Sequence, residues 1–544
     1  MTNLTIAQSA SLQTITKIAE NAGLSEEEFE SQGRYKAKLT WEGVERLRNN
    51  PKQGKLILCT AVSPTPAGEG KTTVTVGLSQ ALNKIGKSAV PAIREPALGP
   101  VFGIKGGACG GGYSQVLPME DINLFFTGDF PAIQAAHNLL SAMLDSHIHF
   151  GNELGIDVRR TTWPRTMDMN DRALRQIVVG LGGLSNGYSR EDGFVITAAS
   201  EIMAIMALAE SRHDLRKRLG NILVGLTSKG APIRCRDLGV DGAMAVLLKD
   251  ALRPNLVQTI EGGPAFVHCG PFANIAHGCS SIIATQCALG MSDYVVTEAG
   301  FASDLGAEKF LNIVAPRLGR GPDAIVLVAT IRALKHHGGG ELCLGMDNLA
   351  RHLAHLQIYG PPVIVAINRF TDDTQEEQNF VKCSVAEYGA IAVVADPWNG
   401  GGVGCVGLAE AIVAATEKPA QFAPLANGKH TFEERLHIAV EKVYGGIGFE
   451  LDEKAERKLV WAKKHGLDHL PICIAKTQYS LSDSPEMINA PTGFKIHVRD
   501  IRPSLGAGFL VAICGEMMLM PGLAKEPAAL KIDIDDQGCV TGLF

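Results

Sequence analysis

The chain has 544 residues, a net charge of −6, 46% hydrophobic residues and 20% charged ones. That is the composition of an ordinary globular protein and too long for one core; about three or four folded units are expected. The weak negative charge provides no basic field, which excludes nucleic acid as a main partner.

Residues 1–50 read as helical, with S-E-E-E-F-E as a helix start and W-E-G-V-E-R-L-R as an amphipathic turn set. The N-terminus has no basic stretch followed by an apolar core, so no secretory signal is expected. A strand, Leu56 to Cys59, runs into S-P-T-P-A-G-E-G-K-T-T, Ser63 to Thr73, and then into a helical pattern, Val74 to Leu82. Strand, Gly-rich turn and helix form the setting of a phosphate-binding loop. Thr65, Pro66, Ala67, Gly68, Glu69, Gly70, Lys71, Thr72 and Thr73 are the candidate nucleotide contacts. Gly68 and Gly70 let backbone N–H groups face one concavity at the helix N-terminus. Lys71 reaches the outer phosphates, and the Thr72 hydroxyl ligates Mg²⁺. Thr65 stands where G-x-x-x-x-G-K-[ST] wants glycine, and Pro66 where dimeric ATP switches carry a second lysine.

Further along, Arg94 and Glu95 lie together in I-R-E-P-A-L-G-P, ahead of the glycine-rich string Gly103 to Tyr113. An arginine there can clamp an acyl phosphate bidentately or make a surface ion pair. Gly262 to Ser292 is uncharged but contains His268, Asn274, His277 and Gln286, too many polar groups for a lipid-spanning helix. A buried segment lining a site is expected, and no membrane association. The strand from Tyr294 ends near Glu298, placed to hold Mg²⁺ through water, and Phe301 follows on a Gly-hinged turn, as ligand contact or core. Asn368 ends another strand as an adenine-reading amide or a turn cap. Trp398 sits in D-P-W-N-G-G-G-V-G, either stacking on a flat heterocycle or packing inside. His268, His277, His336 and His337 match no zinc spacing; satisfied polar contacts in a cleft are expected. The twelve cysteines include no C-x-x-C pair, which points to reduced thiols and a cytoplasmic location.

Apolar runs at Phe194–Thr197, Tyr294–Thr297, Ala324–Val328, Val363–Ile367 and Ala390–Ala395 alternate with helical stretches such as Glu201–Ala209 and Glu433–Val443. The fold class is therefore α/β, a P-loop NTPase-type, mostly parallel sheet with helices on both faces, plus two smaller α/β domains. The expected division is 1–365 for the nucleotide-binding domain, 366–470 for a second domain carrying Trp398, and 471–544 for a small C-terminal domain.

Several strings in order along the chain resemble the formate–tetrahydrofolate ligase family. They are T-P-A-G-E-G-K-T-T, R-E-P-A-L-G-P-V-F-G-I-K-G-G, D-M-N-D-R-A-L-R, G-P-F-A-N-I-A-H-G, V-T-E-A-G-F, L-G-A-E-K-F, D-P-W, V-R-D-I-R-P-S-L-G-A-G-F and M-P-G-L. The resemblance covers most of the chain and accounts for Thr65. It implies ATP-dependent joining of formate to tetrahydrofolate through formyl phosphate, giving 10-formyltetrahydrofolate, ADP and phosphate. It implies that Lys71 and Thr72 hold phosphates and Mg²⁺, that Arg94 grips formyl phosphate, and that Phe301 and Trp398 sandwich the folate ring. It also implies a monovalent cation, K⁺ or NH₄⁺, near Glu95, and a cytoplasmic homotetramer. The chain departs from the family's frequent G-F-G-A-D-L-G at Ala302 and Ser303, from H-G-G-P or H-A-G-P at Cys269, and from a frequent proline at Ala524. An ATP-driven switch acting on a partner protein, and a binding-only relative, are the alternatives. Pro66 and the aromatic-bearing glycine loops oppose the first, and the intact Lys71, Thr72, Arg94, Phe301 and Trp398 oppose the second.

Overall fold

The structure, a computed structural model, describes residues 2–104 and 109–543. Lys105 to Ala108 of the glycine-rich string lie outside the described residues. Seven apolar runs build a parallel block: β1 (Lys55–Ala61), β2 (Ala89–Ile93), β3 (Pro264–Val267), β4 (Tyr294–Glu298), β5 (Ala324–Ala329), β6 (Val363–Asn368) and β7 (Ile391–Ala395). Their order across the sheet is β3-β2-β4-β1-β5-β6-β7, each parallel to its neighbours.

Alternation along each strand divides the core between two faces. Ile57, Cys59, Val326 and Val328 pack with Val74, Leu78 and Leu82 of α1 (Lys71–Lys84) and with Leu408 and Ile412. Leu56, Leu58, Ile325 and Leu327 belong to the larger core on the opposite face, with Val44, Leu47, Ile282 and Ile283. Both faces are covered, so the central strands are buried along nearly their whole length and read as continuous apolar runs.

Beyond β3 the sheet turns antiparallel, through Asn255–Thr259, Ala37–Leu39 and Phe29–Ser31. Here the S-E-E-E-F-E reading needs correction. Ser25 and Glu28 do close a capping box, yet only one 3₁₀ turn follows, Glu26–Glu28. Phe29 then pairs with Leu39 as a strand. Burying such a ring gains about 1.5–3 kcal/mol, more than the next turn of a short surface helix would supply. The Phe194–Ile196 strand also leaves the main sheet and pairs with Arg165–Met167.

A four-stranded sheet forms a second layer, in the order Gly448–Leu451, Lys495–Ser504, Phe509–Cys514, Ile472–Ala475. It has its own core, including Phe432, Val440, Tyr444, Ile496 and Leu510. Residue 365, an expected boundary, lies inside β6, because β6 and β7 are apolar enough to be drawn into the main sheet. The other, near 470, lies between two strands of the smaller sheet. The segment with no helix or strand that joins the two sheets runs from 416 to 431. A buried ion pair also ties them, Lys476 Nζ to Asp304 at 2.6 Å.

Candidate functional site

β2, β4 and β1 are adjacent and parallel, so the turns leaving them open on one edge of the sheet. In such folds that carboxyl edge is where ligands bind. The turn after β1 has φ +77° at Gly68 and +68° at Gly70, which caps α1. A Cβ on Gly70 would stand 2.5 Å from Asn368 Nδ2, so this position needs glycine twice over. Lys71 and Thr72 are the first two residues of α1, at the positive end of its dipole.

The loop is braced from within by a residue that sequence reasoning had pointed at the nucleotide. Glu69 is buried. Its Oε1 accepts from the Thr65 backbone N–H at 2.6 Å and from the Thr65 hydroxyl at 2.9 Å, while Oε2 accepts from the Thr330 hydroxyl. An inward carboxylate is the favourable arrangement, since an outward one would repel phosphate. Asn368 Nδ2 donates one N–H to the Glu69 carbonyl at 2.9 Å, which leaves its second N–H and Oδ1 for an adenine edge. Thr65, Glu69 and Asn368 thus shape the loop, while Pro66 and Ala67 are exposed at its tip.

Thr72 Oγ donates to Glu298 Oε2 at 2.8 Å. Glu298 ends β4, is fully buried, and keeps Oε1 without a hydrogen-bond partner. Arg94, just past β2, brings Nε to 4.0 Å from that oxygen; its Nη1 donates to the Pro271 carbonyl at 3.2 Å. A Cβ on Gly300 would stand 3.0 Å from Arg94 Nη1, so glycine there makes room for the guanidinium. Phe301 follows with φ +57°, an outlier for a bulky residue. Such strain persists where the surroundings over-determine it, commonly at ligand sites. A hydroxyl and a carboxylate are hard oxygen donors that fit Mg²⁺, which takes few protein ligands and keeps water and phosphate oxygens. Among the described residues no cluster of three or more His, Cys, Asp or Glu side chains could hold a metal alone.

Glu95 belongs to a second, carboxylate-rich cluster. Burial, reinforced by Asp129, pushes its carboxyl well above the usual range, against the pull of Lys38; Asp168 adds to the push. Burial also raises Asp168, to about 6. Lys38 is paired with Asp129 at 2.7 Å, and Glu95 Oε2 and Asp168 Oδ1 have no hydrogen-bond partner. The Glu95 N–H donates to the Cys269 carbonyl at 2.8 Å. Cys269 itself has φ +57°, a conformation that glycine adopts without strain.

Trp398 is 39% exposed on the short helix Pro397–Gly400 after β7. Its Nε1 donates to Asn3 Oδ1 at 3.2 Å, and its carbonyl accepts from the Tyr113 N–H at 2.9 Å. β7 lies four strand places from β4, on the order of 19 Å at the usual spacing. Pro397 leans back over Gly77 of α1. The structure thus brings Lys71, Thr72, Glu298 and Arg94 together beside the Phe301 turn, and carries Trp398 on a separate wall formed with Asn3 and the hairpin of Gly110–Gly111 and Ser114–Leu117.

The histidines divide. His268 is satisfied by Ser281 and the Ala251 carbonyl. His337 is held by Ser63 and Asn489. His336 is exposed. His277 differs from the expectation: it is fully buried with neither ring nitrogen hydrogen-bonded, and burial lowers its pKa to about 3. Sequence reasoning missed His352 and His355. Their i, i+3 spacing on one helix was the only signal.

A phosphate-loop α/β protein with a magnesium-compatible acid and an adjacent arginine is the class that this fold and site define. The family model for formate–tetrahydrofolate ligase matches residues 1–544. The chain is 53% identical over 556 residues to a formate–tetrahydrofolate ligase of Symbiobacterium thermophilum, with 100% of each chain covered. The chain belongs to the formate–tetrahydrofolate ligase family.

Proposed function

We propose that this chain joins formate to tetrahydrofolate at the expense of ATP, releasing 10-formyltetrahydrofolate, ADP and phosphate, with formyl phosphate as the intermediate. The observation that carries the reading is the adjacency of Arg94 to the Thr72–Glu298 pair at the mouth of the phosphate loop. A formate oxygen attacks the γ-phosphorus; the new P–O bond forms as the bond to ADP breaks. The folate amine then attacks the formyl carbon, the C–O bond breaks, phosphate leaves and the amine loses its proton. Lys71 and the loop N–H groups hold the phosphates in line, and Arg94 neutralises the charge on the transferred group. Thr72 and Glu298 would hold the nucleotide's magnesium, which offsets phosphate charge when bound. Phe301 and Trp398 are assigned to the two sides of the folate ring, supported by the strained Phe301 turn and the exposure of Trp398.

A potassium or ammonium ion beside Glu95 is supported by the Asp129 and Asp168 charges that act on the buried Glu95 carboxyl and by Glu95 Oε2 and Asp168 Oδ1, which have no hydrogen-bond partner. A homotetramer is supported by the exposed Leu181, Leu184 and Tyr188 of the 177–192 hairpin arm. A cytoplasmic setting is supported by cysteines that are all free thiols. Purified protein with Mg-ATP, formate and tetrahydrofolate, assayed with each left out in turn, tests the reading. ADP and 10-formyltetrahydrofolate are expected only when all three are present, with more product in potassium than in sodium. ADP release indifferent to formate and folate would overturn the ligase reading, and equal rates in the two salts would remove the cation.

A further inference from the structure

Ser63 opens the phosphate loop, and Ser303 stands two residues after Phe301; both are fully buried. One imidazole joins them. His352 Nε2 lies 2.9 Å from the Ser63 backbone nitrogen and 2.9 Å from its Oγ, and Nδ1 lies 2.7 Å from Ser303 Oγ. A backbone N–H can only donate, so Nε2 accepts and Nδ1 carries the proton. That proton goes to Ser303 Oγ, and the Ser303 O–H then faces His355 Nδ1 at 3.1 Å. The same logic fixes His337. The Asn489 N–H donates to Nδ1 at 3.2 Å, so Nε2–H donates to the Ser63 carbonyl at 3.0 Å. Asn348 Nδ2 donates to Ser63 Oγ at 3.1 Å. The N–H, C=O and hydroxyl of Ser63 are therefore all held by α2 (Ile331–His337) and α3 (Leu342–Gln357).

The chain of bonds has one direction and little slack. Burial keeps its imidazoles neutral, His337 and His352 at about 4 and His355 at about 3. On the other side of Ser303, Asp304 is fixed by Lys476. The Phe301–Ser303 turn is thus pinned at Asp304 and tied at Ser303 to the nucleotide loop. A movement of Ser63 as the loop closes on phosphate must either break the His352 bond or pass through it to Ser303.

We propose that Ser303 is a positioning residue that, through His352, couples nucleotide occupancy of the phosphate loop to the setting of Phe301. Folate then binds more tightly once the loop is filled. The proposal rests on the reading of Phe301 as a folate contact.

The test is the dissociation constant of tetrahydrofolate with and without a non-hydrolysable Mg-ATP analogue, in wild type, Ser303→Ala and Phe301→Leu. Wild type is expected to bind folate at least about 5-fold tighter with the analogue, the lower end of ordinary coupling between sites. Ser303→Ala places the family's frequent residue at this position and is expected to fold. Its ratio should fall to near one, with nucleotide affinity unchanged. His352→Leu, which has neither donor nor acceptor to join Ser63 to Ser303, is the second variant and should give the same loss. A wild-type ratio of one would overturn the proposal, as would a full ratio in both variants whatever their melting temperatures. If Phe301→Leu leaves folate affinity unchanged, the assignment of Phe301 fails and the coupling falls with it. If Phe301→Leu weakens folate binding while Ser303→Ala keeps the full ratio, only the relay is wrong.

Discussion

Lys71→Ala is expected to reduce ligase turnover by about 10²–10³-fold, the range seen when a preorganised charge or donor is removed from a transition state. Thermal unfolding should stay within a few degrees of wild type. The reason lies in how the loop is built. Glu69, Thr65, Thr330 and Asn368 hold its shape through buried hydrogen bonds that do not involve the Lys71 ammonium. Lys71 sits at the first position of α1, with its stem partly buried and its backbone in the helix. The substitution therefore removes charge from the loop and leaves those four residues' bonds in place. Steady-state rates and a melting curve on the same preparation check it. A rate within about threefold of wild type would mean that the loop does not bind the transferring phosphate.

Arg94→Ala is expected to lower kcat by on the order of 10³-fold, the lower end for arginines that stabilise phosphoryl transfer, while the nucleotide dissociation constant moves by less than about threefold. The split follows from position. Arg94 leaves β2, next to β4, whereas the phosphate loop leaves β1 on the other side of β4. On the proposed reading the guanidinium faces the far end of the triphosphate, where formate must approach. Arg94→Lys should recover little, because an ammonium cannot reproduce a bidentate grip on a planar carboxylate or an acyl phosphate. Equal losses in kcat and in nucleotide affinity would instead place Arg94 on the bound ATP.

Much of this was legible in the sequence. Strand, G-E-G-K-T and helix form a local signal, and the parallel sheet follows from long apolar runs spaced by helices. Glu298 was legible because an acid at a strand end is also local. The rest depends on contacts between distant segments. Glu69 lies in the motif, yet its inward setting is completed by a bond to Thr330, 261 residues away. The bond from Asn368 to the Glu69 carbonyl depends on β6 lying beside the loop, 299 residues along the chain. The S-E-E-E-F-E segment carries a correct capping signal that strand pairing overrides. Ser303 is visible as a departure from a family pattern, but its partners His352 and His355 come from another helix. Trp398 was found by composition, and its distance from Phe301 could not be, because strand order across a sheet is not written in chain order.

The most direct measurement of the acyl phosphate route is the fate of formate oxygen. With ¹⁸O-labelled formate, Mg-ATP and tetrahydrofolate, each turnover should move one labelled oxygen into inorganic phosphate, because the formate oxygen bonded to phosphorus leaves when the amine takes the carbon. Phosphate free of label, with 10-formyltetrahydrofolate still formed, would contradict formyl phosphate as the intermediate and remove the role given to Arg94.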